Sequence, residues 1–380
     1  MTSRPSPVLP QALPDLATLR TWVGAGAGPR ATIYLPLQRS FPESQQNAVQ
    51  LDHAARELEQ RLAAAGVPDP GAWAARLRGI ETDVRRLGAW PAALAALLDA
   101  GAQHVVGLHA ATPFRVTLAS SFALRPLLGA LRRASRYRVL AVSAGRVALF
   151  EGGPEGVGPE AIPGLPQSLE DALGSETTEK ELRMRGTRAG GGAPVFYSHG
   201  DSRDQRKLDL ARFHEALGRA LAGHLGDGAL PMVLFASDEH QAGLRAAAKI
   251  PVLIAEGVEG NPDRLSPAEL HAAAWPLVER WLGVREQAGW ERARNRGKGV
   301  DLLDDVGAAA VAGRVRRLWI DAARSIAGRI DPETGRVVAG GGDDDVLDAL
   351  AEIVVARGGE VIPVAGSSLP SGTGAAAELH

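Results

Sequence analysis

Six cations stand around a run of glycines. Arg183, Arg185 and Arg188 precede Gly190-Gly191-Gly192, and Arg203, Arg206 and Lys207 follow it. Consecutive glycines let the backbone come close to a partner, and guanidinium groups meet phosphate through paired donors, so the stretch suits a polyanion. A surface loop carrying charges for solubility has the same composition, and composition alone leaves both readings open. His199-Gly200 closes the stretch. Ser202 with Gln205 then forms a capping box, which predicts a helix start and puts Arg203, Arg206 and Lys207 in its first turns.

Other chemistries find less support. With no cysteine in 380 residues, a disulfide scaffold, a thiolate zinc site, an iron–sulfur cluster and a cysteine nucleophile are excluded. The nine histidines are scattered at positions 53, 104, 109, 199, 214, 224, 240, 271 and 380, with no His-Glu-x-x-His spacing. His104 and His109 flank a predicted strand, where packing or surface exposure is the expected role. Gly24-Ala25-Gly26-Ala27-Gly28 lacks the spacing and the preceding strand of a dinucleotide fingerprint and reads as a loop. Gly340–Gly342 leads into Asp343-Asp344-Asp345, which would repel a phosphate and reads as a solvated helix N-terminus. No Gly-x-x-x-x-Gly-Lys-Ser/Thr and no Gly-x-Ser-x-Gly occurs, and Ser198 and His199, being chain neighbours, need not bring their side chains together. Neither a cofactor nor a metal is expected.

The elements that must hold the cationic stretch are legible from periodicity. A short helix is expected at Leu16–Val23 and a strand at Ala31–Leu37. Ala48, Leu51, Ala55, Leu58 and Leu62 recur at helical spacing and predict a helix from Ser44 to Ala65. Helical patches at Ala72–Arg78 and Pro91–Ala100, strands at Val105–His109 and Phe114–Ala119, and a helix at Phe122–Arg133 follow. Tyr137–Ser143 and Arg146–Glu151 read as a hairpin, after which periodicity is lost from Gly152 to Gly200. The capped helix shows a stripe of Leu210, Phe213, Leu217, Leu221 and Leu225. Met232–Ala236 reads as a strand, Glu239–Ala248 as a helix and Pro251–Ala255 as a strand. Ser266-Pro267-Ala268-Glu269 opens a helix running towards Arg296. Asp304–Ala312 (helix), Val315–Asp321 (strand) and Asp345–Ala356 (helix) lead to Glu360–Val364 as the closing strand.

This is an α/β chain. Its length and its 45% apolar content allow several separately cored domains. Three α/β domains are expected: 1–133; 134–257, carrying the glycine loop; and 258–380, an α/β/α sandwich. The net charge of −2 hides an asymmetry, because the first 133 residues have a cationic excess and the last third an anionic one. A weakly basic N-terminal third is compatible with RNA without establishing it. The longest apolar runs, such as Pro231–Ser237, are far too short for a bilayer. Met1–Arg20 lacks the basic start and apolar core of a signal peptide. A cytoplasmic protein without membrane contact is expected.

Taken in order, several stretches resemble the bacterial archaeo-eukaryotic release factor-like family (baeRF), its third subfamily in particular. They are Thr32–Pro36, Leu124–Leu128, Tyr137–Glu151, His199-Gly200 before a charged helix with Phe213, Glu256–Pro262, Leu270–Pro276 and Ile330–Gly335. Asp345–Ala356 with Gly358-Gly359, Leu369-Pro370 and Ala375–Ala377 complete the set. The resemblance implies the three-part plan of the archaeo-eukaryotic peptide-chain release factor and of Pelota. The middle domain would be RNase H-like, and the C-terminal one similar to kink-turn-binding ribosomal proteins. The RNase H likeness would be one of fold, since the hairpin Tyr137–Glu151 has no Asp in its strands to bind a metal.

In catalytic release factors the middle-domain loop carries Gly-Gly-Gln and helps water attack the ester of peptidyl-tRNA at the peptidyl-transferase centre. Here the loop reads Gly190-Gly191-Gly192-Ala193, with no Gln. Its backbone N–H could still face an oxyanion, but the glutamine side chain has no substitute. The resemblance therefore implies a ribosome-associated factor that binds the A site mainly without hydrolysis, in rescue or dormancy. Its partners would be the ribosome, rRNA and tRNA, with a translational GTPase or another protein at the C-terminal domain. Arg185, Arg188, His199, Arg203, Arg206 and Lys207 are the expected RNA contacts, and Gly190, Gly191 and Gly192 the loop that would act if the protein is a peptidyl-tRNA hydrolase. A non-ribosomal protein-binding module is the third reading.

Overall fold

The computed structural model describes residues 7–23, 28–87, 91–133, 136–174, 199–225 and 230–380. Residues up to Arg133 supply α1 (Leu16–Val23), β1 (Arg30–Pro36), α2 (Gln46–Ala64), α3 (Pro70–Arg78), α4 (Val84–Leu87), β2 (Ala93–Leu98), β3 (Gln103–Leu108), β4 (Arg115–Ala119) and α5 (Arg125–Arg133). The middle of the chain supplies β5 (Tyr137–Val142), β6 (Val147–Gly153), β7 (Gly156–Glu160), α6 (Leu169–Leu173), α7 (His199–His224), β8 (Met232–Ala236), α8 (Asp238–Ala247), β9 (Val258–Glu259) and α9 (Pro267–Asn295). The rest gives β10 (Gly299–Val300), α10 (Leu303–Val311), β11 (Val315–Asp321), β12 (Arg329–Ile330), β13 (Val337–Val338), α11 (Val346–Arg357), β14 (Glu360–Val364) and β15 (Ala375–Leu379). The architecture is mixed α/β with several sheets. It divides into two units: Met1–Arg133 with Arg285–His380, and Ala134–Val284.

In the first unit, β3-β2-β1-β4 form an antiparallel sheet. Ala31, Ile33 and Leu35 of β1 face the apolar stripes of α2 and α3, including Leu51, Leu58, Leu62, Trp73 and Leu77. The opposite face does not close on residues 1–133 alone. Tyr34, Ala95, Leu97 and Val106 share one core with Val306, Leu318, Ile320, Leu347, Leu350 and Val354 from the C-terminal part. The second sheet of this unit has the order β10-β15-β11-β14. Its other face packs Trp319, Ile362 and Ala376 against Trp290 of α9.

A row of carboxylates ties the two parts of this unit together. Strand β4 lies at the edge of its sheet, and the backbone leading from it is bonded to the start of α11. The N–H of Leu118 donates to Asp343 (2.9 Å), that of Ser120 to Asp344 (2.8 Å), that of Phe122 to Glu352 (2.5 Å) and that of Arg125 to Asp348 (3.1 Å). Arg61 also pairs with Asp343, and Arg125 with Asp345 and Asp348. Charge-assisted bonds to otherwise unpaired edge N–H groups answer the exposed-edge problem of a sheet. The aspartates at 343–345, expected in solvent, are therefore docked on the N-terminal sheet. Asp345 additionally caps α11, accepting from the N–H of Leu347 at 2.8 Å.

The second unit is built on the sheet β7-β6-β5-β8-β9, with β5, β8 and β9 parallel and β5-β6-β7 antiparallel. One face carries Leu140, Val142, Leu149 and Leu234 under Phe213, Leu217 and Leu221 of α7 and Leu244 of α8. The other carries Tyr137, Val139, Val233 and Phe235 under Leu270, Ala274 and Val278 of α9. The box at Ser266 is present: Glu269 Oε2 accepts from the Ser266 N–H (2.8 Å), and the Glu269 N–H donates to Ser266 Oγ (3.3 Å). The boundary between the two units falls inside α9, after Val284, and the first turns of α9 complete the core of the middle sheet.

Several expectations are corrected. Pro91–Ala100 is the strand β2, not a helix. It is an interior strand with alternate side chains in two different cores, so it reads as a continuous Ala/Leu run without period two. Pro251–Ala255 makes a single bridge, Leu253 to Met232, and the carbonyl of Ile254 accepts from Arg245 at 2.9 Å instead of continuing a ladder. The stretch after Gly152 is partly regular, giving β7 and α6. Gly152 permits the tight β6–β7 reversal, since a Cβ there would lie 2.0 Å from the Gly156 carbonyl oxygen. Glu360–Val364 is not the last strand; β15 follows and sits between β10 and β11. Finally, α7 begins at His199, so Ser202 is an internal helix position. The Gln205 amide reaches forward to Asp209 (2.9 Å) rather than back to a cap.

Candidate functional site

Of the residues singled out in the sequence, Arg185, Arg188, Gly190, Gly191 and Gly192 lie outside the described residues. Positions 199 and 203 lie in the first turns of α7, with their side chains likewise outside. Arg206 and Lys207 are described, and both are exposed. Helical geometry explains their placement. The buried stripe of α7 runs back from Leu221 through Leu217 and Phe213 to Leu210, and position 206 is the next on that line, at i−4 from Leu210. Where the apolar stripe stops, α7 runs past its core and presents cations.

Arg206 is held loosely. Its guanidinium lies 3.5 Å from Glu239, and their side chains are 75% and 57% exposed. A pair so exposed contributes little and is readily exchanged for a phosphate. Lys207 borders a groove of about 380 Å³ between α7 and α8, with Leu210, Ala211, His214, Glu239 and Gly243 among its lining.

Beneath this groove lies a feature the sequence did not reveal. His214 Nε2 and His240 Nδ1 are 3.0 Å apart, and both rings are buried. Burial first, then the neighbouring His240, pushes His214 down to about 4. Burial also lowers His240, opposed by Glu239. Both rings are therefore neutral near pH 7 and share one N–H. Their seam locks α7 to α8 and fixes the base from which Arg206 and Lys207 project. The ring of His214 rests on Gly243, where a Cβ would fall 2.2 Å from two of its atoms. The two histidines are 26 residues apart, and no local spacing pairs them.

The first unit holds a larger cavity of about 760 Å³, bordered by Leu118, Ser120, Ile330, Asp343, Asp344 and Glu352. Its acids are the ones that hold the β4 edge. No group of three or more His, Cys, Asp or Glu side chains that could hold a metal ion occurs among the described residues. No helix among them is long and apolar enough to cross a membrane.

No curated protein matches the chain. Among solved structures, an archaeal translation termination factor, aRF1, is 15% identical, with 97% of this chain and 98% of that chain covered and a TM-score of 0.24. Pelota of Thermoplasma acidophilum is 10% identical (98% and 95% covered, TM-score 0.24). Dom34 of S. cerevisiae, a translation termination-like factor interacting with Hbs1, is 10% identical (97% and 92% covered, TM-score 0.36). Residues 136–314 match the model of bacterial archaeo-eukaryotic release factor family 3. That segment, a little under half of the chain, contains the glycine run, α7 with its cations and the middle sheet, and over it the chain is similar to the baeRF-like, release factor-like proteins.

Proposed function

We propose that the protein is a cytoplasmic ribosome-associated factor that enters the A site and acts mainly by binding, in rescue or dormancy rather than in peptide release. The observation that carries this reading is the family 3 match over residues 136–314, which includes both the cationic glycine loop and α7. In this reading Arg185, Arg188, His199, Arg203, Arg206 and Lys207 meet rRNA or tRNA phosphate, and Gly190–Gly192 let the loop approach closely. The missing Gln argues against hydrolysis, because a main-chain N–H at Gly192 could stabilise an oxyanion but nothing there could position water. The acidic C-terminal third would meet a protein partner such as a translational GTPase.

The test is co-sedimentation with vacant bacterial ribosomes across a salt series, followed by release of labelled peptide from loaded ribosomes. Binding without release is expected. Changing Arg185, Arg188, Arg203, Arg206 and Lys207 together to Ala should reduce the slope of log affinity against log salt by several units. An unchanged slope would remove the loop and α7 from the contact. Release that disappears in Gly191→Pro would make the protein a peptidyl-tRNA hydrolase. Failure to pellet even at low salt would leave the non-ribosomal binding module.

A further inference from the structure

The cavity of about 760 Å³ in the first unit is lined by the carboxylates of Asp331, Asp343, Asp344 and Glu352 and by one guanidinium, that of Arg329. Its walls are otherwise largely apolar, with Leu118, Ala119, Ile330, Val338, Ala349 and Ile353 among them. The β4 edge accounts for most of the acids. It does not account for Ser121, which borders the same cavity and is only 7% exposed. Among the described residues the Ser121 hydroxyl has no hydrogen-bond partner. Buried hydroxyls ordinarily find one, so this group is available to a ligand.

Two of the acids are anchored on either side of it. The N–H and the hydroxyl of Ser120 both donate to Oδ1 of Asp344, at 2.8 and 2.9 Å. The N–H of Phe122 donates to Oε2 of Glu352 at 2.5 Å. Each carboxylate therefore keeps a second oxygen. Among the described residues no donor reaches Oδ2 of Asp344. Oε1 of Glu352 lies 3.6 Å from Nε of Arg30, beyond hydrogen-bond length. The stretch that anchors these groups, Ser120–Phe122, spans about 7 Å. Ser121 Oγ, Asp344 Oδ2 and Glu352 Oε1 make a set of acceptors that matches the N–H donors of one ammonium group.

Other occupants fit less well. A phosphate or carboxylate would meet like charge on all sides but that of Arg329. A metal ion lacks ligands, because no group of three or more His, Cys, Asp or Glu side chains suited to one occurs among the described residues. A cavity of about 300–1,000 Å³ with apolar walls and a few polar groups takes an organic ligand whose body fills the walls. We propose that this cavity binds an organic amine, its ammonium held by Ser121, Asp344 and Glu352 and its hydrocarbon body packed on Leu118, Ile330, Val338 and Ile353. The inference is independent of the ribosomal reading, since neither the glycine run nor α7 takes part.

Binding should depend on the protonation of Glu352. Burial pushes its carboxyl up to about 7, against the Phe122 N–H and Arg30 of β1, while Asp348 of α11 and Asp99, between β2 and β3, add to the rise. Asp343, Asp344 and Arg329 line the same cavity. An ammonium beside Glu352 favours its charged form, so binding below its folded value displaces a proton.

The test is isothermal titration of the full chain at about pH 8 with phenethylamine, against phenethyl alcohol and phenylpropionate as its neutral and anionic counterparts. The amine should bind about tenfold more tightly than the alcohol, and the anion should give no heat. Ser121→Ala should weaken the amine by about tenfold and leave the urea midpoint unchanged, because the hydroxyl it removes is unpartnered. Asp344→Asn should weaken the amine as well. At about pH 6 the heat should vary with the ionisation enthalpy of the buffer, and in Glu352→Gln it should not. Equal affinity for amine and alcohol would overturn the proposal, as would undiminished affinity in Ser121→Ala or no binding of the amine at millimolar concentration.

Discussion

Arg125 has 5% side-chain exposure and stands between Asp345 and Asp348, whose side chains are 9% and 6% exposed. Removing it would leave two carboxylates uncompensated in a poorly solvated place. Arg125→Ala should lower stability by about 3–5 kcal/mol, read as a shift of the urea midpoint of the full chain. Glu352, in the same row, behaves differently. Burial pushes its carboxyl up to about 7, against the Phe122 N–H and Arg30, which hold it down. A carboxyl whose folded value lies above its unfolded one stabilises when protonated. Its contribution is complete at low pH and is lost as pH rises through about 7. The urea midpoint should therefore fall as pH rises from about 4.5 to about 7 and level off above that, and Glu352→Gln should flatten the fall; a slope equal to wild type in the variant would place the titration elsewhere. Asp345 was legible in the sequence as a helix cap. Its pairing with Arg125, 220 residues away in the chain, was not, because no local pattern encodes which distant cation a carboxylate meets.

Among elements, α7 shows how helical period and core length together place a site. The stripe Leu210, Phe213, Leu217 and Leu221 was readable from spacing alone and is buried as expected. The start of the helix was misread, since a capping-box pattern is satisfied equally by an internal Ser whose Gln neighbour bonds forward. The seam with α8 is where the fit is tightest. Gly243→Ala gains up to about 1 kcal/mol of helix propensity, yet its methyl would enter the His214 ring at 2.2 Å. Overpacking against a buried ring costs about 1–3 kcal/mol, so net destabilisation of the unit Ala134–Val284 is expected. Its removal on adding His214→Ala, measured by a double-mutant cycle in urea, would identify the clash as the cause.

For the whole molecule, the shared core makes a prediction about folding. Residues 1–133 cover the second face of their sheet only in part, through α1 and α5; α10, α11 and β11 complete it. The β4 edge is closed by carboxylates from residues 343–352. A fragment ending at Arg133 should therefore lack a cooperative thermal transition. Adding the separately produced fragment 285–380 should restore one. A sharp transition in fragment 1–133 alone would show that the shared core is dispensable.

Several elements were determined by the sequence itself: β1, α2, α7, β8, β11 and α11 announce themselves through β-branched and aromatic runs, helical period, caps and turns, since those signals act within a few residues. So was the mixed α/β class, and so were the run of glycines among cations and the ordered stretches that resemble the release factor-like family. Only the tertiary structure decided that the Ala/Leu run of β2 is a strand, that Ala375–Leu379 is an inner strand, and that His214 meets His240. It alone decided that Asp343–Glu352 grip the N-terminal sheet. In each of these cases the deciding partner is far away in the chain: burial on both faces erases periodicity, and the pairing of charges or rings depends on where the packed elements bring them.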